Sequence, residues 1–228
     1  MEIRNLHAWD VGIEEAKRIQ VALSKNVIVE GGPRRVRFIA GADVSYNPKD
    51  LRMWGGVVVF DVAKWEVVEE WGASGETAFP YIPGYLSFRE IPVLLSAFRK
   101  VETIPDVVLL DGQGLAHPRG MGIASHVGLF LDIPTIGCAK KRLVGMFNPV
   151  DKRKGSHSEL KMNGKRVGWV LRTRDGVKPI FVSPGHKIGV KRALDVVLRC
   201  CGKYRVPEPI RRAHIFVNQS RKKGLPGC

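Results

Sequence analysis

Val107-Val108-Leu109-Leu110-Asp111-Gly112 is the stretch that decides the architecture. An unbroken apolar run this short, closed by an acid, has the form of a parallel strand buried on both faces. Upstream, Ile91, Leu94, Leu95 and Phe98 recur at helical spacing, and Pro92 suits only the opening turn of that helix. Downstream, Gly122–Leu131 reads as a helix and Thr135–Ala139 as the next strand. Further back, Val36–Tyr46, Gly55–Val62 and Trp65–Trp71 read as strands whose short connections suggest antiparallel neighbours. Strand–helix–strand–helix–strand order predicts an α/β fold with parallel central strands and helices on both faces of a mixed sheet. Ile13, Ala16, Ile19 and Leu23 mark a first helix, and Val190, Ala193, Leu194, Val197 and Leu198 a last one. Residues 151–165 read as a loop or hairpin edge, Val167–Leu171 and Ile180–Val182 as strands, and the final ten or so residues as loosely ordered. With no repeat and no linker, residues 1–228 are expected to form one domain.

The composition, 44% apolar and 26% charged, belongs to a folded globular chain. No apolar run is long enough for a membrane span, and Met1-Glu2-Ile3-Arg4-Asn5 lacks the apolar stretch of a signal peptide, so a soluble, cytoplasmic protein is expected. Cys138, Cys200, Cys201 and Cys228 have no zinc-ligand spacing and read as incidental thiols in a reducing compartment. Charge is unevenly spread: residues 140–228 hold 23 Lys and Arg against 5 Asp and Glu. Such an excess attracts a phosphate backbone and points to a polyanion partner. A basic membrane-surface role would need an amphipathic basic helix with an aromatic face, and none is evident.

Two acids interrupt strands that otherwise exclude charge: Asp43 in Phe38-Ile39-Ala40-Gly41-Ala42-Asp43-Val44, and Asp111 at the end of its strand. An ionised carboxylate in such a place must be paired or bound to a metal. Alone, either could cap a turn or pair with an arginine; together, on neighbouring strands, they favour magnesium, which takes hard oxygen ligands. Glu90 is a third acid, although Ser87 and Glu90 have the spacing of a capping box and the local sequence reads as a helix cap. Lys140 follows the strand Thr135–Ala139 at the sheet end where a cation could offset transition-state charge, and it also opens the basic run Lys140-Lys141-Arg142. Acids of this kind on an α/β sheet, in a chain with a basic second half, point to phosphodiester cleavage.

These residues lie in longer motifs. Gly41-Ala42-Asp43-Val44-Ser45-Tyr46, Pro80-Tyr81-Ile82-Pro83-Gly84-Tyr85-Leu86-Ser87-Phe88-Arg89-Glu90, Asp111-Gly112-Gln113-Gly114-Leu115-Ala116-His117-Pro118-Arg119 and Pro134-Thr135-Ile136-Gly137-Cys138-Ala139-Lys140-Lys141-Arg142-Leu143 resemble endonuclease V, as do Gly185-His186-Lys187 and Pro207-Glu208-Pro209. The resemblance runs in order along nearly the whole chain. It departs only in small ways, with Cys138 where valine is more usual and Gly189 where a serine often opens the last helix.

The resemblance implies a ribonuclease H-like fold and a DNA repair endonuclease that nicks the second phosphodiester 3′ to deoxyinosine, leaving 3′-hydroxyl and 5′-phosphate ends. It implies Mg2+ as cofactor, with Mn2+ able to substitute, and DNA with deaminated bases or inosine-containing RNA as partner, with no obligate protein partner. It matches Asp43, Asp111 and Glu90 to metal ligands, overruling the cap reading of Glu90, and Lys140 to a lysine near the scissile phosphate. His117 falls in a position that supports the site, and His214 is similar to a histidine that some relatives place near it. Tyr81 matches a wedge that enters the duplex as the damaged nucleotide leaves. Gly84, Leu86, Gly112, Gly122, Gly137, Ala139 and Leu143 match the pocket for the extruded base, the glycines letting backbone groups approach its edge. His126, His157 and His186 are expected to be structural or surface histidines. The rival readings are a related nuclease of the same fold and a catalytically silent nucleic-acid-binding module.

Overall fold

The computed structural model describes residues 1–47 and 51–223. Its centre is one eight-stranded sheet. β1 (Phe38–Tyr46), β2 (Arg52–Asp61) and β3 (Glu66–Glu76) form an antiparallel meander. β4 (Val107–Leu110) pairs parallel with β1, and β5 (Thr135–Ala139) pairs parallel with β4. β8 (Ile180–His186) then returns antiparallel against β5, and β7 (Lys165–Leu171) and β6 (His157–Met162) complete the order β3-β2-β1-β4-β5-β8-β7-β6. This is the mixed sheet the strand order predicts, with the buried apolar run of β4 at its centre.

Helices cover both faces. α2 (Leu86–Phe98) and α3 (Ile123–Leu131) pack on Ala40, Ala42, Val57, Val108 and Leu110 on one side. α4 (Val190–Arg199) and α5 (Glu208–Lys223) pack on the other, over Ile39, Leu109, Ile136 and Val182 and over Val58 and Phe60. α1 (Ile13–Ser24) seats Ala16 against Phe79 and Phe88. Among the described residues, no helix is long and apolar enough to cross a membrane.

Several elements differ from the sequence expectation. Pro92 lies inside α2, not in its opening turn, so the carbonyl of Phe88 receives no bond from a residue-92 N–H. β8 runs to His186 through Pro184-Gly185, a pair that reads as a break; a shift of register at Thr135/Ile136 absorbs it. β6 is a hairpin edge, turned by Asn163-Gly164 with φ of 51° and 75°, which suits a two-residue turn of the hairpin type. The largest difference is α5. Its buried face consists of small or modest side chains at helical spacing, Ile210, Ala213, Val217 and Ser220, diluted by arginines and lysines. Residues through Lys223 are helical, so the expectation of a loose terminus fails for them; Cys228 lies outside the described residues.

α5 sits unusually close to the sheet. A Cβ on Gly41 of β1 would lie 2.0 Å from the carbonyl oxygen of Pro209, and one on Gly56 of β2 would lie 2.9 Å from the Phe216 ring. Close packing of this kind tolerates no added atom. Gly41→Ala should therefore lower unfolding stability by roughly 3 kcal/mol, at the upper end of overpacking penalties. Gly75→Ala, with open space around its Cβ, should change stability by less than about 0.5 kcal/mol. Denaturant titration of the two variants checks the contrast, and equal effects would refute the close-seat explanation.

Candidate active site

Asp43 and Asp111 leave adjacent parallel strands at the same level. Ala42 stands beside Leu110 in the β1–β4 register, so the next residue on each strand reaches the same end and the same face of the sheet. A histidine and a lysine flank the two acids: His214 Nδ1 lies 2.7 Å from Asp43 Oδ2, and Lys140 Nζ contacts Asp111 Oδ2. Glu90 joins them from the second turn of α2. The N-cap of that helix is Tyr85, with no side-chain cap bond, and Ser87 Oγ is buried without a partner. The capping-box spacing of Ser87 and Glu90 is thus unused.

The electrostatics report the crowding. Burial, then the charges of Asp43 and Asp111, push the Glu90 carboxyl up to about 8. Burial and then Asp43 also raise Asp111, against the pull of Lys140. The hydrogen bond to Asp43 raises His214. Three acids in mutual repulsion form a site that favours added positive charge. Among the described residues no three His, Cys, Asp or Glu side chains converge closely enough to enclose an ion on their own.

Beside the acids opens a cavity of about 510 Å³. Tyr81–Gly84 and Leu86 form one wall, Ala139–Leu143 the other, and Asp111–Gln113 with Met121–Ile123 the floor. The volume and the mainly apolar lining with a few polar groups suit a small planar ligand. Tyr81 stands on the rim with 69% of its surface exposed. Gly84, Leu86, Gly112, Gly122, Ala139 and Leu143 all line the cavity, whereas Gly137 does not.

Gly112, Gly122 and Gly137 are also packing positions. A Cβ on Gly137 would lie 2.5 Å from the Gly114 nitrogen, one on Gly122 2.2 Å from the Gln113 carbonyl, and one on Gly112 2.5 Å from Ile123. They let β5, the 112–114 turn and the start of α3 stack on one another, so the space saved is filled by protein. Gly84 is different: its φ of +83° is a left-handed conformation that favours glycine.

His117 lines the cavity and is bonded to the loop that carries Tyr81. Its Nε2 donates to the Gly84 carbonyl at 3.0 Å, and its Nδ1 accepts from the Arg119 amide at 3.2 Å. Burial pushes its pKa down to about 4, which keeps the ring neutral. The same carbonyl receives Gln20 Nε2 at 3.0 Å and Arg119 Nη2 at 2.9 Å, and Arg119 Nε donates to Gln20 Oε1 at 2.6 Å. Arg119 also lies over the Tyr85 ring. Gln20, Arg119 and His117 therefore clamp the loop that carries Tyr81. The sequence reading passed over Gln20, whose signal was a polar residue one turn from Ala16 on the buried side of α1. Of the remaining histidines, His126 and His186 are buried and His157 is exposed.

The Endonuclease V family model matches residues 21–215. An endonuclease V from Dehalococcoides mccartyi is 48% identical over 215 residues, spanning 94% of this chain and 96% of the relative. The crystal structure of endonuclease V from Streptomyces avermitilis superposes with a TM-score of 0.89 at 38% identity, covering 98% of this chain and 99% of that one. Endonuclease V from Ciona intestinalis, solved in complex with a 24mer DNA containing an inosine followed by a ribo-adenosine, superposes with a TM-score of 0.81 at 27% identity, covering 92% and 98%. The mixed sheet with helices on both faces is thus the ribonuclease H-like fold of these nucleases, and this chain belongs to the endonuclease V family.

Proposed function

We propose that this chain is a magnesium-dependent DNA repair endonuclease that nicks the second phosphodiester 3′ to deoxyinosine, leaving 3′-hydroxyl and 5′-phosphate ends. The observation that carries the reading is the placement of Asp43, Glu90 and Asp111, with Lys140, at the side of a cavity sized for a purine and rimmed by an exposed tyrosine. The donor set is all carboxylate, the hard oxygen chemistry of magnesium or manganese and not of zinc. Magnesium keeps several waters and uses one or two protein carboxylates with substrate phosphates, so a full protein cage is not required.

In this reading Asp43, Asp111 and Glu90 hold the ion. When bound, it would polarise the phosphoryl oxygen and lower the pKa of a nearby water. Lys140, which stands on Asp111, offsets charge that develops on the phosphoryl oxygens. Tyr81 fills the gap left in the duplex, recovering part of the few kcal/mol that extrusion of a base costs. The clamp on Gly84 keeps that loop from folding into the cavity. Hypoxanthine differs from adenine at O6 and N1–H, so a pocket with suitable backbone partners separates the two. The excess of lysine and arginine over residues 140–228 supplies attraction for the phosphate backbone.

A ribonuclease reading of the same site has one observation behind it: the Ciona relative was captured on an oligonucleotide with a ribo-adenosine after the inosine. Matched oligonucleotides bearing deoxyinosine, inosine or uracil, with and without magnesium, separate the two. Asp43→Ala and Asp111→Ala should each slow nicking of an inosine-containing duplex at least about a thousandfold, roughly 4 kcal/mol of transition-state stabilisation, while binding changes little. Near-normal nicking by either variant would remove the metal-ligand assignment.

Tyr81→Ala should lose about tenfold more activity on duplex than on single-stranded inosine substrate, because only the duplex must be opened. Equal losses on both would argue against a wedge.

Glu90 gives a readout that does not depend on turnover. Its folded-state pKa of about 8 lies above the ordinary value of 4.5, so the stability contributed by its protonated form is complete below about 4.5 and is lost as pH rises toward 8. In chelator, the wild type should weaken relative to Glu90→Gln by roughly 1 kcal/mol per pH unit across that interval. Millimolar magnesium at pH 8 should restore much of the difference. Parallel melting curves from pH 5 to 8 would sink the placement of Glu90 among the acids.

A further inference from the structure

His214 is more than half exposed on α5, yet its position is closely determined. Asn218 lies one helical turn further on, the i,i+4 relation that brings side chains together. Its Nδ2 donates to the His214 carbonyl at 2.8 Å and lies 3.2 Å from His214 Nε2. Its Oδ1 accepts from the hydroxyl of Ser45 at 2.9 Å. Ser45 is buried on β1, two residues beyond Asp43 and on the same face of the strand. Asp43, His214, Asn218 and Ser45 therefore close a ring between one strand and one helix. Two residues of strand rise about 6.6 Å and four residues of helix about 6 Å, so both pairs meet at matched spacing.

The chemistry of the ring determines where protons lie. A carbonyl only accepts, so the amide atom on the His214 carbonyl must be nitrogen, and Oδ1 is left for Ser45. An N–H also faces His214 Nε2, which must then accept. The imidazole proton is thereby assigned to Nδ1, where it bonds Asp43 Oδ2. The two tautomers of a neutral histidine are otherwise close in energy, and the partner of one nitrogen selects the other.

We infer that Asn218 and Ser45 are positioning residues for the carboxylate site, reinforcing the Nδ1–H tautomer of neutral His214 that the Asp43 carboxylate also requires, and so fixing the orientation of ring and carboxylate. Each acts through His214. The inference rests on the proposed role of Asp43 as a metal ligand only for its consequence, since the tautomer itself is a property of the metal-free protein.

Two measurements on the full chain test it. Long-range ¹H–¹⁵N correlation at pH 9, without metal, should show His214 of the wild type protonated at Nδ1. In Asn218→Ala a measurable minor population of Nε2–H should appear beside the Nδ1–H form that Asp43 still favours, and in Ser45→Ala a smaller one. Ser45→Thr, which keeps the hydroxyl, should remove it. Manganese titration followed by the electron paramagnetic resonance of the free ion should then show binding weakened about five- to twentyfold in Asn218→Ala and Ser45→Ala, restored in Ser45→Thr, with melting temperatures near that of the wild type. An unchanged tautomer in both Asn218→Ala and Ser45→Ala, whatever the metal affinity, overturns the inference. If Asn218→Ala does not fold, Ser45→Ala alone decides, since it removes one hydroxyl. A wild type with the Nδ1–H tautomer but no manganese binding that Asp43→Asn abolishes would overturn the metal reading of the site, leaving the tautomer assignment standing.

Discussion

Repulsion among Asp43, Glu90 and Asp111 is the interaction around which the rest of the molecule is arranged. Neighbouring negative charge and burial both disfavour ionisation of a carboxyl group. Glu90, raised to about 8, registers this most strongly. The fold sets the charge of Lys140 against one acid and a hydrogen bond from His214 against another. It holds the acids in place through the parallel pairing of β1 with β4 and the close seat of α5 on β1. A site that gathers acids in this way favours added positive charge, and the surrounding packing supplies the stability that the acids withdraw.

The cavity beside the acids depends on a different constraint, the close stacking of backbone on backbone. β5, the 112–114 turn and the first turn of α3 approach one another through Gly137, Gly112 and Gly122. Their contact makes a rigid floor. Opposite it, the wall carrying Tyr81 is anchored at its ends by Phe79 and Tyr85, which pack with Ala16 and Phe88, and between them by three donors converging on the carbonyl of Gly84. A packed floor and a clamped rim together fix the spacing across the cavity.

Much of this was legible in the residues. Asp43 and Asp111 stand out because nothing else charged occupies their strands, and the proline-bounded loop around Tyr81 announces an aromatic kept outside. The motifs placed Glu90 and Lys140 correctly near them in space, although Glu90 sits where local rules read a helix cap. Other features left weaker marks. α5 escaped notice because its buried stripe is short side chains among basic ones, so its amphipathic signal is faint; its partner is Gly41, whose need for a close neighbour has no local signature. With the helix went Asn218, and the strength of the case for His214. Gln20 showed itself only as a polar residue on an apolar stripe. The glycines of the floor could be read as pocket residues but not as packing residues, since which atom fills the place of a Cβ depends on a segment far away in the chain.

The sequence by itself therefore determined the order of strands and helices, the basic second half and the identity of the acids. These follow from periodicity, charge exclusion and motif, all of which are properties of neighbouring residues. Tertiary structure alone decided that His117 supports the Tyr81 loop, that His214 is bonded to Asp43, and that Asn218 and Ser45 stand behind it. Each of those contacts joins segments separated by tens of residues or more, and hydrogen-bond geometry between such segments exists only once the sheet and its covering helices have packed.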